Sequence, residues 1–380
     1  MRVMIMTDSY LPTRDGVVTS VISQRKFLEG MGHEVVIVAP DPGEEHREEG
    51  VYYFRARKFR TYEGYFVPVY YSRATKLVRE LEPDVIHIRG VALMALKALI
   101  ASRRTKVPTV LTYDTMVTDV IDRYSPVRLP KRMLVKLAGI YLRQELKRPG
   151  CVIVPSDSTG RELTEVLRVR PKAMETVPTP VDASYYSRAD GSEVRAKYGL
   201  EDSRVLITVG RASYEKNVDV IIRSMPLMGT DVRLLVVGKG PALDDWKKAA
   251  EDAGVPDRVV FTGFVDGEDL VAHYSCADAF VSASVFETQG LTVIEAMSCG
   301  LPVACGNGRA YLDYVEDGVN GYIFDLDPES CAGAMRRALD APQEVREAAR
   351  ATAEGFSIPK VAAKLVSVYE GVISGREAGR

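Results

Sequence analysis

The stretch Phe286-Glu287-Thr288-Gln289-Gly290-Leu291-Thr292-Val293-Ile294-Glu295-Ala296-Met297-Ser298-Cys299-Gly300 carries two carboxylates, Glu287 and Glu295, eight positions apart. The apolar run Ala277 to Val285 before it reads as a buried parallel strand. Gly290 opens a turn and a helix of about ten residues follows, until Gly300-Leu301-Pro302 stops it before a second strand at Val303 to Cys305. Strand, turn, helix, strand is the unit from which doubly wound α/β sheets are built. The backbone N–H groups at Gly290, Leu291 and Thr292, with Gln289 just ahead, form a helix start that favours a phosphate. Glu295, one turn in, is placed to accept both hydroxyls of a ribose, and Glu287 faces the other end of the same ligand. Either carboxylate alone reads as well as a helix-dipole partner or a solvated loop residue. Together, in this setting, they mark a sugar-nucleotide site.

Working outward, the same alternation fills the chain. Strands are expected at Val3 to Thr7, Glu34 to Ala39, Asp84 to Ile88, Thr109 to Thr112 and Cys151 to Val154, with a loop from Tyr10 to Gly16 and a helix from Val17 to Met31. Pro178-Thr179-Pro180-Val181-Asp182 breaks the periodicity and reads as an interdomain hinge. Beyond it, strands are expected at Arg204 to Val209, Val232 to Val237, Val259 to Thr262, Ala279 to Val285, Val303 to Cys305 and Gly321 to Phe324. The expected domains are 1–180 and 181–358. Gly210-Arg211-Ala212-Ser213-Tyr214-Glu215-Lys216 follows a strand end, where a cation pair five apart can converge on one anion. Preorganised cations there lower the barrier for a departing diphosphate by several kcal/mol.

Glu287 to Glu295 resembles the Glu, seven residues, Glu motif of the retaining glycosyltransferases of family 4, which have the GT-B fold of two Rossmann-like domains facing a cleft. The resemblance implies an NDP-sugar donor, a UDP-sugar being favoured, a hydroxyl acceptor, and no metal or other cofactor. It puts the donor sugar on Glu287, the diphosphate on Gly290 to Thr292, Arg211 and Lys216, and the ribose on Glu295. Phe261-Thr262-Gly263-Phe264-Val265 is similar to the strand-end loop that holds the base. Gly16, at the first loop-to-helix turn, lets backbone N–H groups approach a phosphate or an acceptor, although Asp15 stands where many members have a further glycine. Asp114 falls where the family usually has a histidine near the sixth carbon of the sugar, which leaves the donor open. The last helix, within 359–380, is expected to cross back onto the first domain. In place of a nucleophile or base on the protein, the diphosphate oxygen takes the acceptor proton.

Composition excludes several classes. With 46 % apolar and 27 % charged residues in 380, the chain is ordinary globular protein with room for two cores. Five scattered cysteines indicate neither a disulfide framework nor a zinc site, and fit a reducing compartment. Asp325-Leu326-Asp327 looks like a metal-binding D-x-D, but Asp327-Pro328 reads better as a helix N-cap. No apolar stretch spans a bilayer, so a cytoplasmic location is expected, soluble or peripheral on the membrane. Net charge is −2, yet residues 1–180 hold 29 Lys and Arg against 21 Asp and Glu, leaving 21 against 31 for the rest.

Two segments point to an anionic membrane surface. Residues 52–71 interleave aromatics such as Tyr52, Tyr53, Phe54, Phe59 and Tyr62 with Arg55, Arg57, Lys58 and Arg60. Residues 123–148 hold eight cations against Glu145, with Met133, Leu134, Leu137, Ile140, Tyr141 and Leu142 at helical spacing. A core-packed helix with a solvated basic face is the equal alternative. Nucleic acid is disfavoured because no recognition motif accompanies the charge. Asp8-Ser9-Tyr10-Leu11-Pro12 and Glu287 to Thr292 look like the branch that glycosylates diacylglycerol. Competing readings are transfer to a soluble acceptor such as an inositol or sugar phosphate, a GT-B epimerase, a glycoside hydrolase with paired carboxylates, and a noncatalytic sugar-nucleotide-binding subunit.

Overall fold

A computed structural model describes residues 1–378 except 14–15, 44–46, 59–65, 69–72, 115–129 and 188. The chain forms two compact units, one of Met1–Pro180 with Pro359–Arg380 and one of Val181–Ile358.

In the first unit the elements run β1 (Arg2–Thr7), α1 (Gly16–Gly30), β2 (Glu34–Pro40), β3 (Val51–Phe54), β4 (Ala56–Lys58), β5 (Phe66–Pro68), α2 (Ala74–Leu81), β6 (Val85–Arg89), α3 (Leu93–Thr105), β7 (Thr109–Thr112), α4 (Lys131–Glu145), β8 (Cys151–Val154), α5 (Asp157–Arg161) and β9 (Met174–Thr176). The main sheet has the order β3-β2-β1-β6-β7-β8-β9 and is parallel throughout, while β4 and β5 form a separate antiparallel ribbon. Helices on both faces explain why the central strands read as unbroken Val, Ile and Met rather than as an alternation. Met4, Met6, Val36, Val38, Ile86 and Ile88 point into one core with residues of α2 and α3.

The second unit runs α6 (Ser192–Tyr198), β10 (Arg204–Val209), α7 (Val218–Ser224), β11 (Val232–Val237), α8 (Leu243–Asp252), β12 (Val259–Gly263), α9 (Gly267–Ser275), β13 (Ala279–Ser282), α10 (Leu291–Ser298), β14 (Val303–Gly306), β15 (Tyr322–Phe324), α11 (Pro328–Leu339) and α12 (Gln343–Glu354). Its parallel sheet has the order β12-β11-β10-β13-β14-β15. Successive residues feed opposite cores: Leu206, Leu234 and Val236 enter one, and Val205, Ile207, Leu235 and Val237 the other. Strand order reverses between β1 and β6 in the first sheet and between β10 and β13 in the second. Crevices open at such switch points, outside the carboxyl ends of the strands.

The final helix, α13 (Ile358–Ala378), belongs to the first unit from Pro359 onward. Its Tyr369 hydroxyl accepts from Gln24 Nε2 at 2.6 Å and lies 2.6 Å from His87 Nδ1, whose Nε2 meets Thr112 Oγ1 at 2.6 Å. All four residues are buried, so the network ties α13, α1, β6 and β7 together.

Several boundaries differ from the sequence reading. The strand expected over Ala277 to Val285 covers only Ala279–Ser282. Beyond it the Ala283 carbonyl accepts from the Asn217 side chain at 3.1 Å, and Gly308 lies so close that a Cβ there would sit 2.8 Å from Val285 Cα, which draws the chain out of the sheet. The helix after Gly290 has eight residues. Within 52–71, Tyr52, Tyr53 and Phe54 form an edge strand paired with β2, and Arg57 and Lys58 lie in the ribbon; residues 59–65 and 69–72 lie outside the described residues, as does Asp15. Asp327 accepts from Ser330 N at 2.9 Å with Pro328 opening the helix, so it is an N-cap.

Candidate active site

The second switch point is assembled from three strand ends packed almost without side chains. Gly210 N donates to Val237 O at 3.0 Å, Ala212 N to Lys239 O at 2.9 Å, and Gly238 N to Gly263 O at 2.8 Å. A Cβ on Gly238 would lie 1.8 Å from Gly210 O, and one on Gly240 would lie 2.3 Å from Ala212 O, so the loops after β10 and β11 can touch only as glycine. A 3-10 turn, Tyr214–Lys216, then brings Lys216 back over the crevice. Gly210, Arg211, Lys216, Ser282 and Thr292 line it, with Arg211 exposed at its edge.

Lys216 Nζ and Glu287 Oε1 form an ion pair with both side chains mostly buried. Burial alone would raise the Glu287 pKa, but the Lys216 ammonium and hydrogen bonds from Lys216 and Ser284 hold it below the ordinary glutamate range. Glu287 is therefore an anion. Glu295 is the opposite case: burial raises its pKa, against hydroxyl hydrogen bonds from Tyr274 and Tyr186. Tyr274 Oη donates to Glu295 Oε2 at 2.8 Å.

Between these carboxylates, Gly290 caps α10 with φ of +81°. A Cβ there would fall 2.3 Å from Tyr311 Cε1. Tyr314 Oη donates to Gln289 O at 3.0 Å, and Tyr311 and Ser282 hydroxyls meet at 2.9 Å, so this turn rests on the buried Tyr311 and the half-buried Tyr314. Leu291 and Thr292 begin the helix, where first-turn N–H groups have no intrahelical acceptor. Gly263 ends β12 with φ of +78°; beside it Phe264 is 57 % exposed while Val265 packs onto the core.

Asp114 and Gly16 belong to the first unit. Gly16 is exposed at the start of α1, with no heavy atom within 4 Å of where its Cβ would be. Asp114 Oδ2 accepts from Arg89 Nη2 at 2.8 Å, and the same nitrogen donates to Ser20 Oγ at 3.0 Å. The carboxylate is thus neutralised from within its own unit. Asp8, at the end of β1, accepts from Ala92 N and Met94 N at 2.8 Å each. Burial raises its pKa to about 6 against those two bonds, with a smaller push from Asp114.

Arg89, Tyr186, Tyr274, Tyr311, Tyr314 and the loop Gly238-Lys239-Gly240 were not singled out from the sequence. The loop carried a usable signal, a glycine pair flanking one residue directly after a strand. Arg89 and the tyrosines carried none, because their partners are distant in sequence. Among the described residues no group of three or more His, Cys, Asp or Glu could hold a metal ion.

Two doubly wound parallel units, each with a crevice at its switch point, are the architecture of the GT-B glycosyltransferases. The family model for glycosyl transferases group 1 matches residues 190–355, and that for glycosyltransferase family 4 matches residues 14–185. The chain is 30 % identical over 367 residues to the alpha-monoglucosyldiacylglycerol synthase of Streptococcus pneumoniae, covering 91 % of this chain and 80 % of that protein. It is also 30 % identical over 383 residues to the GDP-mannose-dependent alpha-mannosyltransferase of Mycobacterium tuberculosis, covering 98 % and 97 %. HepE of Anabaena, solved in complex with UDP, has the same fold, with a TM-score of 0.79, 18 % identity, and coverage of 98 % of this chain and 100 % of that one. The chain belongs to glycosyltransferase family 4. It is a glycosyltransferase, as the motif from Glu287 to Glu295 led us to expect.

Proposed function

We propose that this chain is a retaining, metal-independent hexosyltransferase that moves a sugar from a UDP-sugar to the hydroxyl of a diacylglycerol-type membrane lipid. The observation that carries the donor half is the crevice at the second switch point. Lys216 and Arg211 line it with Thr292 of the helix start, and these cations together with the N–H groups of Gly290, Leu291 and Thr292 meet the charge of a departing diphosphate that a divalent cation meets elsewhere. Gly210 lets the backbone come close. Glu287, held ionised by Lys216, accepts from the sugar hydroxyls, Glu295 and Gln289 bind the nucleotide end, and Gly263, Phe264 and Val265 face the base. In the first unit, Asp114 accepts from sugar hydroxyls and Gly16 admits the acceptor or a phosphate. The acceptor hydroxyl bonds to the anomeric carbon on the face from which the diphosphate departs and gives its proton to the leaving diphosphate oxygen, so the sugar keeps its anomeric configuration. The Streptococcus relative, named for its alpha product, is consistent with that outcome.

The lipid acceptor is supported by α4. One face enters the core through Leu134 and Leu142, while Met133, Leu137, Ile140 and Tyr141 form a second apolar stripe, 44–50 % exposed, beside the exposed cations Arg132, Lys136, Lys147 and Arg148. A helix with apolar residues on an outer face and cations at its margins suits the interface of an anionic bilayer. No helix among the described residues is long and apolar enough to cross a membrane. A cytoplasmic protein docking on the inner membrane face fits this surface.

The test is to incubate the purified chain with UDP-glucose, UDP-galactose or GDP-mannose, in EDTA, with vesicles of phosphatidylglycerol with or without diacylglycerol. We expect an alpha-glycosyl diacylglycerol from a UDP-sugar, and weaker vesicle binding by Leu137→Glu. Transfer only to a soluble inositol or sugar phosphate, or loss of activity in EDTA, overturns the corresponding part.

A further inference from the structure

The Glu295 carboxylate is buried at its base and held from two sides by tyrosines that no motif contains. Tyr274, on α9, is fully buried and donates its hydroxyl to Oε2 at 2.8 Å. Tyr186, in the segment that opens the second unit, supplies the second hydroxyl hydrogen bond. The two rings meet edge to face, with centroids 6.0 Å apart at 82°, and Tyr185 packs edge-on against Tyr186 at 5.2 Å, so neither hydroxyl can swing away without moving the aromatic stack.

We propose that Tyr186 and Tyr274 are positioning residues for nucleotide recognition, fixing the Glu295 carboxylate so that its remaining lone pairs face a cis-diol. This rests on the assignment of Glu295 to the ribose. An ionised carboxylate has about four acceptor directions. Two taken by tyrosyl hydroxyls leave two, the number a ribose needs for its 2′ and 3′ hydroxyls. The same hydroxyls oppose the effect of burial, which would otherwise protonate the group and cost it acceptor capacity. The other titratable groups facing this cluster are Tyr185, itself faced by Glu268, Asp266 and Asp182, and, on α10 itself, Cys299. Against the upward push of burial, the two tyrosyl hydroxyls are the groups that favour the ionised form of Glu295.

The experiment measures kcat and KM for the UDP-sugar across pH with the whole chain and with Tyr186→Phe, Tyr274→Phe and Glu295→Ala, using the ribose donor and its 2′-deoxy analogue. Both phenylalanine variants are expected to raise KM on the order of tenfold at unchanged kcat. They should also move the acidic limb of kcat/KM to higher pH and shrink the preference for ribose over 2′-deoxyribose. A purely structural tyrosine would move neither the limb nor the preference. If Tyr274→Phe fails to fold, Tyr186→Phe, at the less buried ring, decides alone. Glu295→Ala that raises KM while the phenylalanine variants match the parent in KM, acidic limb and sugar preference overturns the tyrosine assignment only. Glu295→Ala with unchanged KM overturns the ribose assignment beneath it.

Discussion

The two sheets share a strand order around their switch points, but the side chains at those points are committed differently. At the first, Asp8 spends its carboxylate on the amides of Ala92 and Met94, Arg89 spends one nitrogen on Ser20 and Asp114, and His87 is enclosed by Gln24, Thr112 and Tyr369. At the second, Lys216 pairs with Glu287 beside a crevice that Gly210, Arg211, Ser282 and Thr292 of α10 also line. Topology supplies a crevice in both cases. What suits the second to the proposed donor is that its charges sit at the crevice beside the helix start of α10, whereas in the first unit Asp8 and Arg89 tie helices to strands.

The largest effect expected from this contrast is on turnover. Lys216→Ala removes a cation aimed at the leaving group, and kcat should fall by roughly 10²-fold or more, as for other preorganised charge stabilisers. Steady-state kinetics showing turnover like the parent's would erase the distinction between the two points. In the first unit the matching change acts on stability. Arg89→Met removes the guanidinium paired with the mostly buried Asp114 carboxylate, and breaking such a pair costs about 3 kcal/mol or more. Urea unfolding of Arg89→Met and of the double variant with Asp114→Asn should show the loss and its partial recovery. A single variant as stable as the parent would mean that the pair does not hold that unit together.

The smallest effect is a divergence in titration. Asp8, raised to about 6, binds its proton more tightly folded than unfolded, so its contribution to stability is greatest below about pH 4 and is lost as pH rises to about 6. Glu287, lowered, contributes above the ordinary value of 4.5 and loses that contribution as pH falls through its folded value. Carboxyl carbon NMR should place the Asp8 midpoint well above that of Glu287. Coincident midpoints would remove the electrostatic side of the comparison.

Much of the frame was legible because strands covered on both faces must be apolar throughout, as in Val3 to Met6 or Leu234 to Val237. The donor motif was legible because its turn, helix start and carboxylates are contiguous. The same logic misread Ala283 to Val285, where Ala283 and Val285 are apolar yet leave the sheet because Asn217 and Gly308 hold them elsewhere. Val51–Phe54 was missed as a strand because an edge strand tolerates exposed tyrosines that also suit an interface. Met174–Thr176 is three mostly exposed residues, too short for a pattern. Arg89 and Asp114 are 25 residues apart and meet only because β6 and β7 are neighbours. Nothing local in Asp114 announces that a guanidinium neutralises it.

All five cysteines are free thiols hidden from solvent, Cys151 in the first unit and Cys276, Cys299, Cys305 and Cys331 in the second. Burial pushes Cys151 up to about 11 and Cys276 and Cys331 up to about 12. A maleimide or iodoacetamide therefore marks each sulfur only when the surrounding backbone opens. The native chain carries its own reporters of opening, one for the first unit and four for the second, and peptide mapping after brief alkylation can time the loosening of either without introducing a dye.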